Sequence, residues 1–421
     1  MEISMATARR YILGRQGLWP GRRWRGLKGA EQAMRAVEHL QLDPLNVVAR
    51  AHDLMLHSRV VDYRPDEWAI LTHGKRRFFE WGGWLAVRPI EELPHWRVLM
   101  RRERDAPHWR AFAREHRAAI EEMRGVLRER DEVSNRDFAT ATRTRVISYR
   151  GRKDSAIALH YLWRIGEAII TRRERFERVY ARIDSVIPAA LLEESSDAEA
   201  DEYMLRKQVA AQGLTGFLGV SSLLGRPVSP AELKAWRGRW VADGDLIEVK
   251  VEGWKGPRWA LGTDQVALEA IAAGRVPKGW KPLETTTDEE ATFLSPLDPV
   301  SARGRAKPLF DFDYKWEVYT PADQRRFGYY TLPILWRDSL VARFDSRFDR
   351  TSATLNLKGL WLEEDALASD AAFVEALGRG MTRFRAFLGA ERLDTTAVAA
   401  PLLRPLIRRM ETSARVETVH R

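Results

Sequence analysis

Residues 198–261 constrain the fold more than any other stretch of this chain. Residues 198–212 have helical composition. Ser229-Pro230-Ala231-Glu232 forms a capping box with proline at the first helical position, predicting a helix over 231–243 that Gly244 stops. Two short runs carrying LIEVKV and PRWAL come next, 245–251 and 256–261, joined by a Gly-containing turn, and predict a hairpin. Helices followed by a short hairpin make a winged helix. Lys250, Lys255 and Arg258 lie on the hairpin, where a wing meets phosphate, and are candidate DNA contacts.

The plan recurs more loosely elsewhere. Residues 115–130 predict a helix, Ser134-Asn135-Arg136-Asp137 a cap and 156–166 a second helix. For the segment after it, a small wing over 168–171 and 175–180 is one reading; a helix through RRERFERVYARI is the other. At the N-terminal end, helices are expected over 5–16 and 29–40, then an extended Gln41-Leu42-Asp43, then a helical run over 45–57. Aromatic and branched residues dominate 314–318, 328–335, 339–345 and 353–361, predicting an antiparallel sheet or small barrel closed by a helix over 370–388. Residues 193–202 read as an acidic linker, 277–290 as a polar connection and 410–421 as a frayed end. The expected architecture is α+β: tandem winged-helix domains over 1–110, 111–192 and 193–285, and a C-terminal antiparallel β-domain over 286–421.

Charge narrows the partners. Across 421 residues, 69 Lys and Arg against 59 Asp and Glu give +10 and an isoelectric point near 9.8, which favours a polyanion. An Arg-rich genome is the plainer source of part of that charge. Cysteine is absent, which removes disulfides, zinc–thiolate sites, iron–sulfur clusters and cysteine catalysis. No signal-like apolar core and no membrane-length run is present, so a cytoplasmic protein without a membrane partner is expected; a monomer is expected too, although no sequence feature reads out oligomeric state. Walker A, GxGxxG, GxSxG and HExxH patterns are missing, and His52 and His57 lie five apart rather than on one helix face. No metal and no cofactor is expected.

Gln41-Leu42-Asp43-Pro44 is the candidate chemical site. In an extended stretch the triplet directs Gln41 and Asp43 to one side and Leu42 into the core. An amide beside a carboxylate can position a water and stabilise developing positive charge. The competing reading is structural: Gln41 ends one helix and Asp43 caps the next, with Pro44 at its first turn. Asn46, Arg50, His52 and Arg59 come next along the chain as a polar and basic set of candidate DNA contacts. Arg303, Arg305 and Lys307 alternate along the loop 299–307, which reads as a flexible arm or hairpin tip able to enter a groove, or as a solvated loop. Trp81, Trp84, Trp96 and Trp109 could stack on bases or simply fill cores.

Three stretches resemble the YcaQ/AlkZ-type DNA glycosylases: QLDPLNVVARAHDLMLHSRV at 41–60, the looser FFEWGGWLAVRPIEELPHWRVLM at 78–100, and 293–350 beginning FLSPLDPVSARGRAKPLFDFDYKW. The resemblance implies tandem winged helices and a β-domain around a basic channel, with a Gln-apolar-Asp catalytic motif at Gln41 and Asp43. It implies removal of N-alkylated purines from double-stranded DNA and unhooking of interstrand crosslinks. Two segments depart from the family pattern: 80–84 lacks its His-Glu, and Val300-Ser301-Ala302-Arg303 replaces an aromatic or apolar-Trp-Asp segment. A non-enzymatic winged-helix regulator is the main alternative. A nuclease would need carboxylates clustered at metal-site spacing, and the sequence has none.

Overall fold

Ser4 opens the first helix, α1 (Met5–Arg15), by accepting the Thr7 N–H at 3.2 Å, which satisfies one of the donors a helix start leaves open. The computed structural model describes residues 1–83, 85–138, 143–144, 152–398 and 400–416. These fall into two compact units. The first comprises Met1–Trp68, Val209–Gly216 and Arg237–Arg421, the second Ala69–Gln208 and Phe217–Trp236.

In the first unit α1 is followed by α2 (Gly26–Ala36) and α3 (Ala51–His57). The expected helix over 45–57 therefore starts six residues late. Its missing turns have a cause: the carbonyls that would begin it are already taken. Val47 O accepts the Phe348 N–H at 3.1 Å and Ala49 O accepts the Tyr330 hydroxyl at 3.0 Å. Arg350 donates to Asn46 O and Val48 O. Strands β1 (Leu246–Val251) and β2 (Arg258–Leu261) pair antiparallel as expected. The N-terminal Glu2–Ile3 adds in parallel to the free edge of β1, an addition the sequence did not announce. Helix α4 (Gln265–Ala272) comes after β2.

The C-terminal part contains the short helix α5 (Ala306–Phe310) and the strands β3 (Thr331–Trp336), β4 (Ser339–Asp349) and β5 (Thr354–Leu362), then α6 (Ala371–Leu388). Thr292–Phe293 flanks β3, and Arg392–Asp394 joins β5 in parallel, giving five strands. Asp370 caps α6 through the Ala372 and Phe373 N–H groups. Phe373, Leu377, Met381 and Phe384 of α6 pack on Phe293, Ile334, Phe344 and Leu357 of the sheet. Every residue of β3 is buried, because Leu335 faces a second core built with Ile3, Tyr11 and Leu13. The strand expected over 314–318 is absent. Glu317–Tyr319 is a 3-10 turn, and the Glu317 carboxylate instead accepts the N–H groups of Arg326, Phe327 and Gly328.

The second unit carries the helices Leu93–Asp105, Pro107–Glu115, Arg117–Glu129 and Asp154–Arg164. Ala168–Glu174 and Glu177–Arg182 form an antiparallel hairpin, so the helical reading of RRERFERVYARI is wrong. Arg175 and Phe176 turn the chain at positive φ, a conformation no helix accepts. Trp81 and Trp96 are core residues whose indole N–H groups reach the Arg164 carbonyl and the Glu92 carboxylate. Trp84 lies outside the described residues. Helices Asp197–Gln212 and Pro230–Ala242 form where expected, and Ser229 Oγ accepts the Glu232 N–H at 3.1 Å. Among the described residues no helix is long and apolar enough to cross a membrane.

Candidate active site at Gln41 and Asp43

Leu42 is 1 % exposed, while Gln41 and Asp43 on either side of it are half-buried. The alternation that an extended chain imposes thus fixes the apolar residue and leaves the polar pair reachable by solvent. Asp43 does not cap a helix: Arg50 occupies the N-cap of α3, and Asp43 Oδ1 accepts the Leu45 N–H at 2.8 Å in a local turn. That bond holds one carboxylate oxygen in place. Burial pushes the Asp43 pKa above the usual aspartate value, and the Leu45 N–H only partly offsets it.

His52 sits in the first turn of α3, on its packed face, and is wholly buried. Its Nδ1 accepts the Asp43 backbone N–H at 3.3 Å, and its ring meets Trp68 edge-on at 5.0 Å. This geometry assigns the neutral tautomer with the proton on Nε2. The expected phosphate contact by His52 is therefore corrected, since a ring with no exposed surface holds the motif rather than DNA. The same holds for Arg59. Its guanidinium is 0 % exposed and grips Asp298 through two bonds of 2.7 and 3.0 Å, with further bonds to Gln16 O and Met55 O. It ties α3 to the Ser295-Pro296-Leu297-Asp298 turn.

That turn leads to the loop 299–307, which is neither an arm nor a hairpin. Ser301 and Ala302 N–H groups bond to Asp298 O, and the chain enters α5 at Ala306. Arg303, exposed and at φ 54°, donates to Gln41 Oε1 and so joins the loop to the motif. Arg305 points inward to Gln212 O at 2.9 Å, and burial lowers its pKa to about 10, so the expected alternation of the two arginines on one surface is corrected. Lys307 is exposed on α5 beside Asp311. Asn46 is exposed and takes Arg350 Nη2 at 2.5 Å; Arg50 is half-buried, 3.8 Å from Asp66. On the β1–β2 hairpin Lys255 is exposed and Lys250 stands 3.5 Å from Glu2. Arg258 folds back onto the carbonyls of Lys255, Gly256 and Pro257, so it stiffens the turn rather than reaching out from it.

Sequence reasoning passed over Asp53, Asp298, Tyr330 and Arg350. Asp53 is a buried carboxylate on α3 that takes the Tyr63 hydroxyl at 2.7 Å and the Asp66 N–H at 3.1 Å; burial raises its pKa to about 6 despite both. The one available signal was Asp298, which stands inside the run Ser295-Pro296-Leu297-Asp298-Pro299. Among the described residues no group of three or more His, Asp or Glu could hold a metal ion.

The fold is similar to that of the Streptomyces sahachiroi DNA glycosylase AlkZ, with a TM-score of 0.60 over 94% of this chain and 99% of that one, at 16% sequence identity. The DNA glycosylase AlkZ-like family profile matches residues 34–387. That span takes in the Gln41–Asp43 motif, the His52 and Arg59 contacts behind it and the Asp298 turn, and with it the chain belongs to the AlkZ-like family of DNA glycosylases.

Proposed function

We propose that this DNA glycosylase hydrolyses the N-glycosidic bond of purines alkylated at N7 or N3 in duplex DNA, with Gln41 and Asp43 as its catalytic residues. The observation that carries this reading is the half-buried Asp43 carboxylate, anchored by the Leu45 N–H next to the Gln41 amide. An alkylated purine is cationic. When its bond to C1′ breaks, the bond pair neutralises the base, so departure needs no strong acid. The sugar is left oxocarbenium-like, and a carboxylate in a partly desolvated site stabilises it better than one in water. Gln41 offers both a donor and an acceptor to the attacking water, whose proton passes to Asp43 or solvent as oxygen bonds to C1′. No metal enters this scheme.

Asn46, Arg50, Lys250, Lys255, Arg303 and Lys307 are the proposed backbone contacts, and the helix–hairpin segments act as winged helices. A half-buried motif that solvent can reach also suits a crosslinked base, whose tether to the opposite strand prevents full extrusion. The test is release of N7-methylguanine from duplex DNA in EDTA by wild type, Asp43→Asn and Gln41→Ala. Release by wild type with a loss on the order of 10²-fold or more in the Asp43 variant is expected. Equal release by wild type and Asp43→Asn would sink the assignment; tight binding without release would favour a regulator.

A further inference from the structure

A cleft of about 880 Å³ opens between α1, α4 and the segment 275–281, and its wall includes Glu38, three residues before Gln41. Its cations were not among the residues expected at DNA. Arg23 is the informative one. Its guanidinium lies over the rings of Trp24 at 4.4 Å and Trp280 at 5.3 Å and donates to the Gly14 carbonyl at 2.6 Å. Among the described residues no carboxylate pairs with it. Burial, with Arg15 and Arg59 nearby, lowers its pKa to about 10. A partly desolvated cation without a counter-charge is costly, and an anion from outside would relieve it.

The surroundings fit such an anion. Arg275, Lys278 and Lys281 are exposed along the rim. Three carboxylates stand on the wall: Asp264 is committed to Arg15 at 3.2 Å and to the Tyr11 hydroxyl at 2.8 Å, Glu269 takes the Gln265 amide at 2.8 Å, and the half-buried Glu38 is engaged rather than free. Trp280 is fixed as an aromatic wall because it lies directly on Gly14, where any Cβ would overlap the ring. We propose that this cleft binds the phosphodiester backbone of the DNA strand, with Arg23 as the anchoring donor to one phosphate, Lys278 and Lys281 each at a neighbouring phosphate and Trp280 as the wall. The inference rests on membership of a DNA glycosylase family and not on which base is excised.

The salt dependence of binding tests it, on undamaged duplex DNA with the full chain. Removing a cation that neutralises one phosphate lowers the steepness of log K against log salt by about 0.9. Lys278→Ala/Lys281→Ala should lower it by about 1.8, Arg23→Gln by a further ~0.9, and Lys278→Arg/Lys281→Arg should preserve it. Lys358→Ala/Arg408→Ala, exposed and outside the cleft, controls for net charge. An unchanged slope in the alanine pair, or an equal fall in the control pair, overturns the proposal. Because no excision is read, failure of the proposed substrate would show separately, as wild type that binds with the expected slopes and releases no N7-methylguanine.

Discussion

Asp43, the carboxylate proposed to act on the sugar, is fixed by two groups, the Leu45 N–H and the His52 ring. A carboxylate that stabilises positive charge must be ionised, and burial raises the Asp43 pKa, so it protonates sooner than a free aspartate as pH falls. The single-turnover rate should therefore show an acidic limb above the ordinary aspartate range, and that limb should vanish in the residual rate of Asp43→Asn. A rate flat down to about pH 4, the ordinary aspartate value, would remove Asp43 from the chemistry. His52 touches Asp43 through the backbone bond, which would make it a positioning residue in the proposed reaction. Asparagine can place an acceptor where Nδ1 stands, and leucine cannot. His52→Leu should lower the rate by on the order of 10²-fold at little changed DNA affinity, with substantial rescue in His52→Asn. If both variants lose the rate equally, or neither does, the bond is only packing.

At the scale of elements, the motif is a strand end held between two supports. One is the sheet edge: Phe348, Arg350 and Tyr330 take the carbonyls of 46–49 and keep that stretch from coiling into α3. The other is the buried Arg59–Asp298 pair, which joins α3 to the turn that delivers Arg303. Removing one partner strands a buried charge, so Asp298→Ala should destabilise the chain by about 3–5 kcal/mol. Arg59→Met with Asp298→Leu should recover much of that in a denaturation midpoint, because both charges leave together. Recovery of stability without recovery of excision would show that the turn's geometry, not the charge pair's energy, serves the motif.

Across the whole molecule, two buried carboxylates give the units opposite responses to pH. Asp53, in the first unit, has its pKa raised to about 6, so the native state binds its proton first; stability from this group is full below the unfolded value and is lost as pH rises through about 6. Glu80, in the second unit, is pushed up by burial but pulled further down by His73 and Arg173, to about 2; its contribution is present above the unfolded value and lost as pH falls through about 2. Each shift corresponds to about 3 kcal/mol. Asp53→Asn should raise stability at about pH 7.5 and leave it unchanged near pH 4, whereas Glu80→Gln should lower it at about pH 7.5; the reverse order in denaturation midpoints would refute both assignments. The helices over 5–16 and 198–212, the hairpin after Gly244 and the central strands of the C-terminal sheet were legible in the chain because caps, glycine stops and apolar periodicity act within a few residues. So was the polar–apolar–polar character of 41–43, which needs only an extended backbone. The company the motif keeps was beyond the reach of the sequence. His52, Arg59 and Arg305 read as DNA contacts because their type and spacing are those of surface cations, and only folding, which brings Asp298 to Arg59, Gln212 to Arg305 and Asp43 to His52, turns them inward. Burial and long-range pairing are properties of the packed chain, and no local pattern encodes them.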